Sequence, residues 1–342
     1  MKRIFVSAAE PSGDVLGCEL VKALGRAGEA TFFGLAGPKM RAAGVEPLAR
    51  MEDVNAMGLI EVLGRLPEIL RVRASLKRAL ETRPDAAIFI DAPDLHHPLG
   101  RYAMSLGVLS VGYVTPQVWA WRPGRAKALS DVFDQLLCLF EFEPVLFDQP
   151  SVWVGHPVVD RLPKRETIDP HLFGLAPGSR PQEIARMLGP FIAAAEHLRE
   201  KQPRARFVLL TPERLSGVPS WLEQTYRVEA LSKARGVLTK SGTITLELAV
   251  MGVPQVVAHR VHPMTYGLGR LLVRGIDHIA MPNILANKQV VPEFIQTLEP
   301  QRLASELLAL PATQPVDLSA LGVPGASDRA AAAVWHAAGA FA

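Results

Sequence analysis

Short apolar runs alternate with longer amphipathic segments along most of the chain. The runs have the length of strands and are rich in β-branched and aromatic residues, whereas the segments between them carry apolar residues at helical spacing. The pattern predicts strands over residues 4–8, 31–35, 86–90, 108–114, 135–140, 172–176, 207–210, 236–238 and 255–258, the last of which we expect to be the final strand. Strands that alternate with helices are typical of parallel sheets covered on both faces.

Helices are predicted between and after these strands, over residues 15–24, 39–43, 182–201, 264–273, 299–310 and 326–338. Residues 57–80 also have helical spacing, and Pro67 is expected to divide them into two helices. Basic residues are interleaved there, so the segment either packs on the core or forms a surface for an acylated substrate or an anionic bilayer. Residues 211–235 show no clear strand, and residues 279–286 are expected to form an apolar loop.

The strand and helix pattern restarts near residue 172, after a polar, proline-containing stretch at 162–167 that is typical of an interdomain linker. A chain of 342 residues is also too long for one modest core. We predict an α/β protein with two Rossmann-like, doubly wound domains, residues 1–163 and 164–312, that face each other across a cleft. Residues 313–342 are expected to form a helical tail that packs on the N-terminal domain or on a partner chain.

Composition narrows the class of protein. Hydrophobic residues make up 49% and charged residues 21% of the chain, as in globular proteins, and a net charge of +3 is too small to indicate a nucleic-acid partner. The two cysteines, Cys18 and Cys138, exclude a disulfide framework, and no Cys/His spacing indicates a zinc site. The first apolar run ends at Glu10, so we interpret it as a strand rather than a signal peptide. No run has the length of a membrane helix, and we expect a cytoplasmic protein.

The candidate binding chemistry lies in loops between a strand and a helix. Ser241-Gly242-Thr243 is one such loop, in which Ser241 is a good N-cap and the open glycine backbone at a helix start suits a phosphate. Glu247, one turn further on, can accept hydrogen bonds from ribose hydroxyls, although an ordinary capped helix with a solvated glutamate explains the same residues. Gly178-Ser179-Arg180 also precedes a helix and is a second candidate phosphate cradle, with the arginine as a bidentate clamp.

Asp91 follows a continuous apolar run and therefore lies at the carboxyl end of a predicted central strand, where ligands of open α/β sheets bind. A carboxylate there serves as a general base toward a sugar hydroxyl or caps the next helix, and its position alone favours neither. Trp119 and Trp121 follow the next strand along the chain. They either wedge their loop against the core or face a ligand. We interpret His96 and His97 as solvated or packed in a loop rather than as metal ligands.

Short motifs occur along the whole chain, and they are Glu10-Pro11-Ser12-Gly13-Asp14, Ala36-Gly37-Pro38-Lys39-Met40, Met57-Gly58-Leu59-Ile60-Glu61-Val62-Leu63, Ile90-Asp91-Ala92-Pro93-Asp94, residues 113–121, Gly155-His156-Pro157, Pro177-Gly178-Ser179-Arg180, Ser241-Gly242-Thr243 with Leu246-Glu247, and Met281-Pro282-Asn283-Ile284-Leu285-Ala286. Together these stretches resemble the lipid-A-disaccharide synthase family of GT-B glycosyltransferases, and they follow the family's order from end to end. One such motif is weak evidence, but the ordered set is specific. The chain departs from the family's usual pattern at Ala9, His96, Lys240 and the shorter residues 211–235.

The resemblance implies an enzyme that moves 2,3-diacylglucosamine from its UDP donor to the 6-hydroxyl of 2,3-diacylglucosamine 1-phosphate, with inversion and with no metal or other cofactor. It implies that Asp91 is the base and that Glu10 and Ser12 lie near the reacting sugars. The residues that it implies for the donor are Ser179, Arg180, Ser241, Gly242, Thr243, Glu247 and Asn283, and those for the acceptor side of the cleft are Asp14, Trp119 and Trp121.

The resemblance also implies peripheral attachment to the cytoplasmic face of the inner membrane, and the apolar C-terminal helix suggests a homodimer with exchanged ends. Three other hypotheses remain: a GT-B relative with another UDP-sugar and glycolipid, a UDP-sugar 2-epimerase, and a non-catalytic relative that binds a nucleotide or lipid. The basic apolar stretch at 57–80 and the tryptophan loop argue against the epimerase. The sequence disfavours a dinucleotide-dependent oxidoreductase, because no Gly-x-Gly-x-x-Gly follows a strand.

Overall fold

The computed structural model describes residues 1–54, 59–114, 131–165, 167–260 and 278–341, with the backbone alone at 59–66. This part of the chain divides into two compact units. The N-terminal unit comprises Met1–Asp160 together with Ser319–Ala342, and the C-terminal unit comprises Arg161–Leu318. Each unit contains its own parallel sheet, as two Rossmann-like domains require.

The N-terminal unit is built on a seven-stranded sheet within the described residues, in the order β3-β2-β1-β4-β5-β6-β7 with every neighbouring pair parallel. Its strands are β1 (Lys2–Ala8), β2 (Ala30–Ala36), β3 (Val45–Arg50), β4 (Ala86–Ile90), β5 (Ser110–Tyr113), β6 (Gln135–Cys138) and β7 (Ser151–Trp153). Its first helices are α1 (Pro11–Ala27), α2 (Pro38–Ala42), α3 (Met51–Val54), α4 (Leu59–Glu81) and α5 (Pro93–Ser105). All five residues of β4 are buried, which is why its sequence is an unbroken apolar run.

A short helix, α6 (Val158–Arg161), leads into the C-terminal unit. The described part of this unit contains a six-stranded parallel sheet in the order β10-β9-β8-β11-β12-β13. Its strands are β8 (Asp169–Ala176), β9 (Arg206–Leu210), β10 (Leu222–Thr225), β11 (Ala234–Lys240), β12 (Gln255–His259) and β13 (Glu293–Ile295). Its helices are α7 (Pro181–Lys201), α8 (Thr243–Met251), α9 (Met281–Ala286) and α10 (Pro300–Ala309).

The last helix, α11 (Ala326–Ala340), returns to the N-terminal unit and packs on α1. The indole nitrogen of Trp335 donates a hydrogen bond to the Leu24 carbonyl oxygen at 3.3 Å, and Arg26 forms an ion pair with Asp328 at 2.6 Å. The Asp160 carboxyl group also accepts a hydrogen bond from the backbone N–H of Gly325 at 2.6 Å. This packing confirms one of the two predicted positions of the tail, that on the N-terminal domain of the same chain.

Some predicted elements are wrong. Pro67 does not divide its segment, because a single helix, α4, runs through it. Residues 279–286 contain the helix α9 rather than only a loop, and β12 is followed by one more strand, β13. Strands β3 and β10 lie at the edges of their sheets, where exposed polar side chains hide the apolar pattern of a strand. The predicted helix at 264–273 lies outside the described residues.

Candidate functional site

The N-terminal sheet reverses its strand order between β1 and β4, because β2 and β3 extend from one side of β1 and β4 lies on the other. Ala8 and Ile90 pair at the carboxyl ends of these two strands. Glu10 follows the first of them at the N-cap position of α1, and Asp91 follows the second. Such a switch point is where open parallel sheets bind their ligands. The structure therefore brings Glu10 and Asp91 to one edge of the sheet.

Ser12 lies in the first turn of α1 and is half-buried, as Glu10 and Asp91 are. A methyl group in place of the α-hydrogen of Gly13 would lie 3.3 Å from the Ala8 side chain and 3.6 Å from the Ile90 carbonyl oxygen. The start of α1 is therefore packed closely against the ends of both strands. Three of the residues predicted to surround the reacting sugars share this edge.

The turn at Asp91 has an unusual backbone. Both Asp91 and Ala92 lie in the left-handed region, with φ of 52° and 48°. The Asp91 N–H donates a hydrogen bond to the Tyr113 carbonyl oxygen at 3.0 Å, and His96 Nδ1 lies 2.6 Å from the Asp91 carbonyl oxygen. Strain of this kind is concentrated at functional sites. His96 was expected to be solvated or packed in a loop, but it lies in α5 and is completely buried.

Asp14 does not join this group. The carboxyl oxygens of Asp14 accept hydrogen bonds from the backbone N–H groups of Lys39 and Met40, each at 2.9 Å. Asp14 is 3% exposed, so its carboxyl group joins α1 to the start of α2 instead of lining an open surface. Trp119 and Trp121 lie outside the described residues.

The C-terminal sheet reverses its order between β8 and β11, where Ala176 pairs with Thr239 near the carboxyl ends. The Gly178-Ser179-Arg180 loop follows β8, and the Ser241-Gly242-Thr243 loop follows β11. Ser179, Arg180, Gly242 and Thr243 are all exposed. The two predicted phosphate loops are thus neighbours at the switch point of their own sheet.

Glu183 and Lys240 connect these two loops. One carboxyl oxygen of Glu183 accepts hydrogen bonds from the backbone N–H groups of Ser179 at 3.2 Å and Arg180 at 3.4 Å. The other lies 2.8 Å from the Lys240 ammonium. Burial opposes ionisation of Glu183, but the bonds from Lys240 and the loop N–H groups outweigh it and lower the pKa of the carboxyl group. Neither residue was among the predicted site residues.

The prediction that Ser241 caps the next helix is wrong. The helix α8 begins at Thr243 with Gly242 at the N-cap position, and no side-chain hydrogen bond caps it. The Ser241 hydroxyl instead donates a hydrogen bond to the Ile279 carbonyl oxygen at 2.6 Å. The backbone at Gly242 is still extended, with φ of 163°, so the helix begins later than expected. Among the described residues, a Cβ atom at Gly242 would meet only the Lys240 ammonium, 4.0 Å away, which leaves the helix start open to a ligand.

Asn283 and Glu247 are already engaged by the protein. Asn283 is completely buried, and its side-chain oxygen accepts hydrogen bonds from the N–H groups of Val290 at 2.7 Å and Val291 at 2.8 Å. Its side-chain nitrogen donates to the Val291 carbonyl oxygen at 2.9 Å, so the amide holds the backbone after α9 and presents no surface to a diphosphate. Glu247 forms an ion pair with Arg161.

His259 at the end of β12 is a further polar group near the loops. Burial is the main reason that its pKa falls to about 4, and the nearby Lys240 charge lowers it further. The described residues hold no group of three or more His, Cys, Asp or Glu side chains placed to ligate a metal ion. Within the described ranges, no helix combines the length and the apolar character needed to cross a bilayer.

A family model described as lipid-A-disaccharide synthetase matches residues 4–313 of the chain. The chain belongs to this family. Lipid-A-disaccharide synthase from Geobacter metallireducens is 37% identical over 334 residues, which cover 90% of this chain and 87% of that protein. The enzyme of the same name from Anaeromyxobacter sp. strain K is 37% identical over 372 residues and covers 96% of both chains.

Solved structures confirm the GT-B fold of this lipid-A-disaccharide synthase family member. The calicheamicin glycosyltransferase CalG4 aligns with a TM-score of 0.59 at 16% identity and covers 99% of this chain and 98% of its own. UDP-GlcNAc 2-epimerase from Neisseria meningitidis, bound to UDP-GlcNAc, aligns with a TM-score of 0.61 at 13% identity and covers 98% of this chain and 100% of its own. These similarities concern the fold alone, whereas the family identifies the chain as a glycosyltransferase of the lipid-A-disaccharide synthase type.

Proposed function

We propose that the chain transfers 2,3-diacylglucosamine from UDP to the 6-hydroxyl of 2,3-diacylglucosamine 1-phosphate, giving lipid A disaccharide 1-phosphate and UDP. The main support is that, in a member of this family, Asp91 lies at the switch point of one sheet and two exposed phosphate loops lie at the switch point of the other. Each unit thus offers a different part of the chemistry, a base in one and an anion site in the other.

The reaction that these residues support is a single displacement. The acceptor 6-oxygen forms a bond to the anomeric carbon while its proton passes to the Asp91 carboxylate and the bond to UDP breaks. UDP leaves with the electron pair, and the configuration at that carbon inverts. Glu10 and Ser12 share the sheet edge with Asp91 and are placed to orient the sugars.

The leaving UDP needs positive potential around its diphosphate. The open N-terminus of α8 and the exposed side chain of Arg180 supply it in this proposal, with the hydroxyl groups of Ser179 and Thr243 as further hydrogen-bond donors and without a metal or other cofactor. Glu247 binds the ribose while Arg161 holds its carboxylate. Asn283 acts indirectly in this proposal. Its amide binds the backbone of Val290, and this holds the segment that begins at Ile279, whose carbonyl oxygen accepts the Ser241 hydroxyl.

The decisive experiment follows UDP release from UDP-2,3-diacylglucosamine and 2,3-diacylglucosamine 1-phosphate, with and without EDTA. We expect turnover in both conditions, and we expect Asp91→Asn to lower kcat by at least about a hundredfold because the base is lost. Asp94→Asn is the matched control, since Asp94 belongs to the same turn but is exposed in the first turn of α5. An unchanged rate of UDP release in Asp91→Asn would reject this residue as the base. Consumption of a UDP-sugar without UDP release would instead support the epimerase.

We also propose that the protein attaches to the cytoplasmic face of the inner membrane through α4. Leu70 on this helix is 53% exposed, and the exposed Arg71 follows it, which is the combination of apolar and basic groups that binds an anionic bilayer. Leu70→Glu should reduce co-sedimentation with anionic vesicles, whereas unchanged binding would reject α4 as the membrane-binding surface.

We propose separately that the protein forms a homodimer, and light scattering of the purified protein tests this.

A further inference from the structure

Two consecutive left-handed residues at Asp91 and Ala92 need support from their surroundings. Neither is glycine, so each residue is strained in this conformation unless neighbouring groups compensate. The backbone N–H of Asp91 is fixed by β5 through the Tyr113 carbonyl oxygen. The imidazole of His96 meets the Asp91 carbonyl oxygen and so helps to fix the direction in which the peptide plane of the turn faces.

The imidazole itself is held from three sides. His96 and Ser7 are both completely buried, and His96 Nε2 lies 2.8 Å from the Ser7 hydroxyl oxygen. The ring also packs on Phe89, with ring centroids 5.7 Å apart. Ser7 and Phe89 are paired residues of β1 and β4, the two strands at the switch point. The ring therefore ties the Asp91 turn to both strands.

The partners define the protonation of the ring. A carbonyl oxygen only accepts, so His96 Nδ1 carries the hydrogen that it donates to Asp91, and Nε2 of the neutral ring accepts from the Ser7 hydroxyl. Burial lowers the pKa of His96 to about 4, which keeps the ring neutral near pH 7. A neutral ring in one tautomer is a fixed hydrogen-bond donor.

We propose that His96 is a positioning residue that holds the Asp91–Ala92 turn in its left-handed conformation through the Nδ1–H bond to Asp91, and so orients the catalytic carboxylate. The inference rests on the proposed function for its catalytic consequence, but its structural part stands independently of that function.

Two substitutions separate the two ring nitrogens. The side-chain nitrogen of His96→Asn lies near the position of Nδ1 and retains a donor for the Asp91 carbonyl oxygen, whereas the amide of His96→Gln reaches the position of Nε2 and retains only a partner for Ser7. Both variants lose similar ring packing against Phe89. His97→Asn is the matched control, because the adjacent His97 ring contacts Phe133 rather than the Asp91 turn.

We expect His96→Asn to keep kcat within about threefold of wild type and His96→Gln to lower it by about tenfold or more, with KM unchanged in both. Equal kcat losses in the two variants, or full activity of His96→Gln, would overturn the positioning role. Thermal unfolding of both variants and of His97→Asn separates a loss of folding from a loss of position.

Nuclear magnetic resonance of the protein without substrates distinguishes failure of this inference from failure of the proposed function. The ¹⁵N signals of His96 should show a protonated Nδ1 and an unprotonated Nε2 between about pH 5 and pH 8. The backbone couplings of Asp91 and Ala92 should keep their left-handed values in His96→Asn and lose them in His96→Gln. The other tautomer, or an unchanged turn in His96→Gln, contradicts the inference even if the wild type does not release UDP.

Discussion

The absence of a side chain at Gly37 leaves room for the buried carboxyl group of Asp14. A Cβ atom at Gly37 would lie 2.4 Å from the carboxyl carbon of Asp14 and 2.6 Å from each of its oxygens. The same oxygens accept the backbone N–H groups at the start of α2. Since the carboxyl group is held by both bonds and is almost completely buried, it has little room to move aside.

We therefore predict that Gly37→Ala lowers the free energy of unfolding by about 1–3 kcal/mol, because the methyl group displaces the carboxyl group from its two donors. Gly25→Ala is the control on α1, where a Cβ atom would meet no described atom within 4 Å. That variant should be more stable than wild type by about 0.5–1 kcal/mol, as alanine is the better helix former. Urea unfolding compares the two. Equal stabilities would mean that the Asp14 contact contributes nothing measurable.

At this scale the sequence predicts residue types better than residue roles. Ser241 and Asn283 were expected at the donor phosphates because their motifs resemble those of the family, yet both side chains bind backbone groups of the protein. The burial and the hydrogen-bond partners of a side chain depend on contacts with residues distant in sequence. The periodicity of apolar residues gives no information about these contacts. Asp91 was located correctly at its strand end, because its position depends on the strand alone.

At the scale of elements, the Lys240–Glu183 pair joins the loop after β8 to the last residue of β11. The two side chains are only 16% and 19% exposed, so water screens their attraction less than at the surface. Without the ammonium, Glu183 keeps the N–H groups of its own loop but loses its connection to the neighbouring loop. The spacing between the two phosphate loops should then become less well defined.

We predict that Lys240→Met weakens UDP binding by about tenfold and lowers the free energy of unfolding by about 1–3 kcal/mol, since a charged hydrogen bond is broken. Calorimetry with UDP measures the first effect and urea unfolding the second. Lys233→Met is the matched control, because Lys233 is exposed just before β11 and its loss should change stability by less than about 0.5 kcal/mol. UDP affinity that is the same in both variants would remove the pair from the donor site.

Strands could be predicted from the sequence where both of their faces are buried. The apolar run at 86–90 has the bounds of β4, and the strands at both switch points were found. The strands β3, β7, β10 and β13 were missed because each lies at an edge of its sheet and needs few apolar residues. Helix α4 continued through Pro67, so a proline inside an amphipathic segment did not by itself end the helix.

At the scale of the whole molecule, each unit has a histidine near its switch point whose pKa is lowered by burial. His96 lies at the Asp91 turn of the N-terminal unit, and His259 ends β12 in the C-terminal unit. Burial lowers the pKa of both from 6.5 to about 4. Between these values the unfolded chain binds a proton at each histidine that the folded chain does not bind, so the stability of both units falls as the pH falls through this window.

We predict that the completely buried His96 alone makes the protein less stable at about pH 4 than at about pH 7 by roughly 3 kcal/mol. Urea unfolding of wild type and His96→Asn at both pH values isolates this contribution, because the titrating carboxyl groups are common to the two proteins. The His96→Asn variant should lose less stability on acidification than wild type. His259→Asn should show the same effect to a smaller extent, since His259 is less deeply buried.

If the two units unfold in separate transitions at low pH, tryptophan fluorescence assigns each transition to its unit. Trp221 lies in the C-terminal unit, and Trp153 and Trp335 lie in the N-terminal unit. Parallel losses of stability in wild type and His96→Asn would show that protonation of this histidine does not limit the acid stability of the fold.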